Sequence, residues 1–538
     1  MAETRMDAAG GLSVTTGVDV DDAVRRLVGD DVPRRLAAAD ATLWGPEAEA
    51  EAAIRLGWVD TFTRSRRLLP ELARVRDALA GSGVDRVVLA GMGGSSLAPE
   101  VICRTLDRPL TVLDTTDPGQ IRDALAAAPL ERTVVVVSSK SGGTVETESL
   151  RRVWVQAFTD AGIADVGGHF VVVTDPASPL EQLATAMGAH VFLADPDVGG
   201  RYSALTAFGL VPAALAGVDV AELLDDAETF AATLAADPPE NPALLLGALL
   251  ASRPTFSIAD DGSGIVGLGD WVEQLLAEST GKGGTGVLPV VVESPDAPGA
   301  RADGVLSVLV GGAKPPGFPG GSRPEAPDVA VNGPLGAQFL CWEAATAFAG
   351  RLLGIDPFDQ PNVAESKDNT KRILESGVPA EEPAFRDGTV EGFGTDAGDL
   401  TAALRDLAGQ VGPEGYLAVM AYLDREGDAE AAGLRRLLAR VVDAPVTFGW
   451  GPRFLHSTGQ FHKGGRPTGV FLQITADPGS PLEVPGRPYD FARLQEAQAA
   501  GDRQALRDRG RPLLWLRLSD RGDGIRRLAA AAEEISRS

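Results

Sequence analysis

The sequence predicts an α/β protein of two domains, each built on a mainly parallel sheet covered by helices. A chain of 538 residues exceeds what one hydrophobic core encloses. From residue 85 onward, short apolar runs rich in β-branched residues recur along the chain. Amphipathic stretches separate these runs, and strands alternating with helices define parallel sheets buried on both faces.

Residues 1–80 read as helical, with apolar positions at helical spacing through DDAVRRLVGDDVPRRLAAADATLW and LLPELARVRDALA. The first domain, 81–235, holds the runs RVVLAG (86–91), LTVLDT (110–115), TVVVVSS (133–139), HFVVVTD (169–175) and HVFLAD (190–195). ADPPENP (236–242) is the expected hinge. The second domain, 240–480, takes TFSIAD (255–260), GVLPVVVE (286–293), GVLSVLV (304–310), PDVAV (327–331), PVTFGWG (445–451) and GVFLQIT (469–475). A helical insertion is expected near 375–440, with the last two runs adjacent in the second sheet. A helix, a strand and a closing helix form the extension 481–538. AKPPGFPGGSRPEAP (313–327) reads as a surface loop, and no repeat period stands out.

Lys+Arg 49 against Asp+Glu 75 gives a net charge of −26, which repels nucleic acid and anionic membranes. An anionic substrate would therefore need a locally basic pocket. The N-terminal MAETRMDAAGGLSV has no apolar signal core, and ALLLGALLA (243–251) is too short to span a bilayer, so a cytoplasmic protein is expected. Cys103 and Cys341 stand apart, outside any CxxC pattern, and are expected to be reduced. His169, His190, His456 and His462 lack metal-ligand spacing, so neither metal nor cofactor is expected. His169 and His190 read as strand-edge residues, and His462 is left open.

Two turns carry chemistry. Gly91-Met92-Gly93-Gly94-Ser95-Ser96 follows a strand and precedes a helix, where glycines admit close backbone approach and the helix start offers free N–H groups. It fails the dinucleotide pattern at Ser96. Ser138-Ser139-Lys140-Ser141-Gly142-Gly143-Thr144 is a second such turn, with hydroxyls and an ammonium suited to phosphate oxygens. Glu146 opens the following helix, where its charge favours the dipole, and is grouped with this loop. Neither turn, nor Gly281-Lys282-Gly283-Gly284, meets the triphosphate-loop pattern.

GMGGSS (91–96) and SSKSGGTVET (138–147) resemble the sugar-phosphate loops of the phosphoglucose isomerases. GGRYS (199–203), LLAESTGKGG (275–284), PFDQPNVAESK (357–367) and LHSTGQ (455–460) resemble four further segments of that family. The resemblance implies two sugar-isomerase (SIS-type) domains, a sugar-phosphate substrate and a homodimer. It implies that Gly94 and Ser95 hold the sugar and that Ser139, Lys140, Ser141 and Thr144 cradle the phosphate. Glu278 would move a proton between C1 and C2, and Arg201 would stabilise the enediolate. Lys367 and His456 would open the ring, and Gln360 would bind substrate. Such an isomerisation needs one carboxylate that takes and returns a proton beside a fixed positive charge, and no metal.

In most of the family the histidine segment precedes FDQ. Here it follows, as in the isomerase half of fused transaldolase–isomerase proteins, although 80 N-terminal residues are too few for a transaldolase barrel. The resemblance also implies that the ring-opening histidine reaches the site from a partner subunit. Two alternatives are an isomerase that also accepts mannose 6-phosphate, and a non-catalytic sugar-phosphate-binding regulator. The regulator reading fits poorly with the presence of Glu278, Arg201, Lys367 and His456.

Overall fold

The computed structural model describes residues 4–312, 327–361, 363–378 and 380–537, the side chains of 363–368 excepted. The stretch expected as a surface loop, 313–327, lies outside them but for its last residue. The chain opens with an antiparallel hairpin, β1 (Thr4–Asp7) and β2 (Ser13–Thr16), where helix was expected. Gly10 and Gly11 turn the chain at φ 82° and 87°, and the β-branched Val14, Thr15 and Thr16 suit a strand. Helical segments follow, up to Leu69–Gly81.

The first sheet comprises β3 (Arg86–Gly91), β4 (Thr111–Leu113), β5 (Thr133–Ser138), β6 (Phe170–Thr174) and β7 (His190–Leu193), all parallel, in the order β4-β3-β5-β6-β7. Every residue of β5 is buried, which explains its unbroken valine run. Strand order reverses between β3 and β5, and Gly91 pairs with Ser138 across them. The two glycine-rich turns therefore leave neighbouring strand ends at a topological switch point, where open α/β sheets bind ligands.

The second sheet comprises β8 (Thr255–Asp260), β9 (Leu288–Val291), β10 (Val305–Gly311) and β11 (Val329–Asn332), parallel in the order β9-β8-β10-β11. Strand β2 adds antiparallel to β11, which brings the N-terminal hairpin into this sheet.

A third sheet departs from the expected arrangement. It comprises β12 (Phe385–Asp387), β13 (Val390–Phe393), β14 (Tyr416–Tyr422), β15 (Val446–Trp450), β16 (Gly469–Ala476) and β17 (Leu513–Leu518). The runs expected to be adjacent in the second sheet are β15 and β16, and β14 lies between them. Strand β14 fell inside the expected helical insertion, together with β12 and β13. Its sequence YLAVMAY is fully buried yet holds one β-branched residue, and its Leu, Ala and Met are good helix formers. The strand in the C-terminal extension is β17, parallel to β16. The parallel α/β class stands, with helices Phe491–Arg507 and Arg521–Arg537 in the C-terminal segment.

The sheets share cores. Ala259, Ala277, Leu288 and Val290 from the second pack with Tyr416, Met420, Phe461 and Phe471 from the third. Val484 and Phe491 close over Val88, Val135 and Val137 of the first. Each fully buried Val, Leu, Met or Phe side chain among them contributes ~1.5–3 kcal/mol of transfer free energy. Between β15 and β16, Lys463 lies 2.9 Å from Asp502 of helix Phe491–Arg507, both side chains 2% exposed. Removing one partner strands a buried charge, so Asp502→Ala should cost about 3–5 kcal/mol in a urea titration. A loss below ~1 kcal/mol would show that Lys463 finds water or another acceptor.

Candidate functional site

Arg201 lies on a short 3-10 turn, Gly200–Tyr202, and is 3% exposed. Its Nε donates to Ser279 Oγ at 2.8 Å, and its Nη2 donates to the carbonyls of Pro357 and Asp359 at 2.8 and 3.0 Å. Nη1 donates to Gln360 Oε1 and stands 3.6 Å from Glu278 Oε2. Glu278 itself lies near the end of helix Leu268–Thr280 and is buried. Three motifs far apart in the chain thus meet at one guanidinium.

One helical turn before Glu278, Gln274 was not foreseen. Its Nε2 donates to the backbone carbonyl of His456 at 2.8 Å and lies 3.5 Å from Glu278 Oε2. His456 ends the 3-10 turn Arg453–His456 between β15 and β16. Its Nε2 lies 3.1 Å from Glu146 Oε1, which also accepts from Gln498 Nε2 at 2.7 Å. An ionised carboxylate only accepts, so in this pairing Nε2 carries the donated proton. Glu146, grouped with the phosphate loop from sequence, is placed here as the partner of the imidazole.

His456 was expected on a connection facing a neighbouring chain. The structure turns it inward, against its own first sheet. A Cβ added at Gly93, whose φ is +56°, would lie 2.7 Å from Gln274 Nε2 and 3.1 Å from His456 Cβ. A Cβ at Gly94 would lie 1.9 Å from the carbonyl oxygen of Gly200. These glycines are needed because the arginine, glutamate and histidine segments pack directly on the loop. A bare glycine-rich motif does not tell close protein packing from ligand approach.

In the second loop, Ser139 Oγ lies 3.0 Å from Thr144 Oγ1. Ser141 Oγ accepts from Gly143 N at 3.3 Å and is exposed. Lys140 is drawn aside, 2.7 Å from Asp175 and 3.4 Å from the Pro196 carbonyl. Ser95 is buried within its turn. A cavity of ≈ 860 Å³ opens beside Thr144, Glu146 and His456, and Lys371, Arg487 and Arg493 line its wall. Glu148 and Glu375 line it as well, so with Glu146 three carboxylates face the three cations. Lys367 belongs to helix Val363–Ser376, and its side chain lies outside the described residues.

Lys282 holds the FDQ turn by donating to the carbonyls of Asp356 and Asp359, both at 2.6 Å. Burial, followed by the nearby Arg201, lowers its pKa to about 8. Gln460 donates to the Gly281 carbonyl at 2.8 Å. His462 is buried against Tyr416, whose hydroxyl lies 3.0 Å from Nδ1, and burial holds the imidazole neutral with a pKa of about 3. His169 bonds the Thr133 carbonyl at 2.7 Å, and His190 begins edge strand β7. Both cysteines are buried free thiols, Cys103 with its pKa raised to about 12, chiefly by burial.

The sheets and their converging glycine-rich turns define a protein with a phosphosugar-isomerase fold. A crystal structure of a glucose-6-phosphate isomerase from Chlamydia trachomatis superposes with a TM-score of 0.56, covering 70% of this chain and 90% of that one at 19% identity. Residues 73–280 match the family model of phosphoglucose isomerase. The chain is 31% identical over 277 residues to a probable glucose-6-phosphate isomerase of Haloarcula marismortui, covering 50% of this chain and 62% of that one. To a glucose-6-phosphate isomerase of Rubrobacter xylanophilus it is 29% identical over 375 residues, covering 56% and 86%. The chain spans 51–62% of the length of the archaeal relatives it matches. The family match stops two residues past Glu278, so Gln360, Lys367 and His456 lie beyond it.

Glu273, on the Glu278 helix, accepts from Ser457 Oγ at 3.2 Å. Burial, reinforced by Asp270, raises its pKa from 4.5 to about 8. A raised carboxyl keeps in the fold a proton that the unfolded chain has released, so its contribution to stability falls as pH rises from 4.5 to about 8. Glu273→Gln should therefore raise Tm more at about pH 8 than at about pH 5. An equal change at both would show that Glu273 is ionised throughout.

Proposed function

We propose that the chain is an aldose–ketose isomerase that interconverts glucose 6-phosphate and fructose 6-phosphate. The observation that carries the reading is the Glu278 carboxylate, buried 3.6 Å from a fixed guanidinium and linked through Gln274 to the His456 segment. Such a carboxylate can take a proton from C2 of the open aldose and return it to C1. Arg201 stays charged whatever the base does and stabilises the enediolate oxygen.

Before that step the ring must open: the C1 hydroxyl gives up a proton and the ring oxygen receives one. His456, oriented by Glu146, performs this transfer together with Lys367. Ser139, Ser141 and Thr144 take the phosphate, and Lys140 adds charge at their border. Gly94 and Ser95 shape the sugar side, and Gln360 binds beside Arg201. The reading includes a cytoplasmic homodimer, with each subunit using its own histidine. The division at 81–235, 240–480 and 481–538 is kept as a proposal, with the third sheet spanning the last boundary.

Supplying fructose 6-phosphate and detecting glucose 6-phosphate with a coupled dehydrogenase tests the activity. Glu278→Gln should lower kcat by about 10²–10⁴-fold while KM changes little, because the phosphate contacts lie elsewhere. Near-normal turnover by that variant would remove Glu278 as the base.

Mixing Glu278→Gln and His456→Ala proteins under proven subunit exchange should restore no activity. Every site in the mixture would lack one of the two groups. Recovered turnover would show that the histidine serves a partner's site.

A further inference from the structure

The turn that ends in His456 begins with Arg453, and the two are i and i+3 on one 3-10 turn. Arg453 is buried, and its guanidinium reaches out of the third-sheet region into the first. Nη1 donates to Asp114 Oδ2 at 2.6 Å, and Nη2 lies 2.6 Å from Glu100 Oε2 and 3.8 Å from Asp270 Oδ2. Asp114 follows β4, and Glu100 lies on helix Leu97–Thr105, which starts at the GMGGSS loop. Asp114 Oδ2 also accepts from Ser96 Oγ of that loop at 3.0 Å.

The run Asp114-Thr115-Thr116-Asp117 is buried throughout although wholly polar. It receives three side chains from the C-terminal part of the chain. Arg453 binds Asp114, Gln498 accepts from Thr116 Oγ1 at 2.7 Å, and Arg521 donates to Asp117 Oδ2 at 2.7 Å. Gln498 continues to Glu146 and so to the imidazole. Buried polar groups cost free energy unless paired, and docking of the third-sheet region adds these three partners to the local bonds that Asp114 and Asp117 already accept from Ser96, Gly119 and Gln120.

We infer that Arg453, clasped by Asp114 and Glu100, is a positioning residue that sets the His456 imidazole in the site of its own chain. The inference rests on the isomerase reading. Arg453 touches no reacting atom; it fixes the turn that carries one that does. Its planar fork presents fixed N–H groups to two carboxylates on separate elements, a geometry that the point charge of a shorter-reaching lysine ammonium does not reproduce. Loss of the clasp displaces the ring-opening group and leaves Glu278 and Arg201 in place.

The test compares two substrates. Glucose 6-phosphate must be opened, whereas a 4,5-dideoxy aldose 6-phosphate cannot close a ring and needs only the C1–C2 proton transfer. Arg453→Lys and Asp114→Asn should each lower kcat on glucose 6-phosphate by about 10–100-fold, the cost of an ångström-scale misplacement. On the acyclic analogue, kcat should stay within about threefold of the unsubstituted protein, and KM should stay near normal for both. A cavity of ≈ 860 Å³ borders Arg453, Glu100 and Asp270, so guanidinium chloride at millimolar concentration should restore part of the glucose 6-phosphate activity of Arg453→Ala. Equal losses on both substrates, or unchanged kcat in Arg453→Lys, would overturn the inference. An unsubstituted protein inactive on both substrates would instead overturn the isomerase reading.

Discussion

A guanidinium has N–H groups in one rigid plane, and at Arg201 every branch of that plane is engaged. Nε binds Ser279, Nη2 binds two backbone carbonyls, and Nη1 faces Gln360 and Glu278. Because the side chain is buried, each contact is held in a medium that screens charge weakly. The FDQ turn, the Glu278 helix and the GGRYS turn are therefore set relative to one another by a single residue. Lys282 repeats the device one layer away, holding the same FDQ turn through Asp356 and Asp359. Tyr202 stacks on Trp58 and packs near Phe358, so an apolar wall supports the polar junction from behind.

The second and third sheets share one plan. In each, four parallel strands lie in the order edge, first, third and fourth, and a hairpin earlier in the chain adds antiparallel to the last strand. The first sheet has the same reversal between β3 and β5 without the hairpin. Each reversal leaves a crevice at the strand ends. The glycine-rich turns leave the first crevice, the Glu278 helix follows β8 at the second, and the His456 segment leaves β15 beside the third.

The first sheet was legible almost strand for strand, because its valine-rich runs are buried on both faces and bounded by turn residues. The hairpin at Thr4–Thr16 was missed because its strands are four residues each and sit beside a long helical pattern. Strands β15, β16 and β17 were read as strands, but they were not recognised as a third sheet because the central β14 is rich in alanine and leucine, a preference that tertiary burial overrides. In the site, motif recognition found Arg201, Glu278, Gln360 and His456. It could not find Gln274, Gln498 or Arg453, whose partners stand about 180, 350 and 340 residues away in sequence. Loop glycines and Glu146 were legible as important, but their contacts were not.

The docking of the third-sheet region onto the Asp114–Asp117 run has a kinetic meaning. A histidine borrowed from another molecule is present only to the extent that the molecules associate, and its supply falls with dilution. A histidine carried on the same chain has an effective concentration set by the chain itself, of millimolar order for a short flexible tether and higher when the tether is folded. The imidazole near Glu146 is then as available to one isolated molecule as to a crowded population. Its supply is a property of folding rather than of protein abundance.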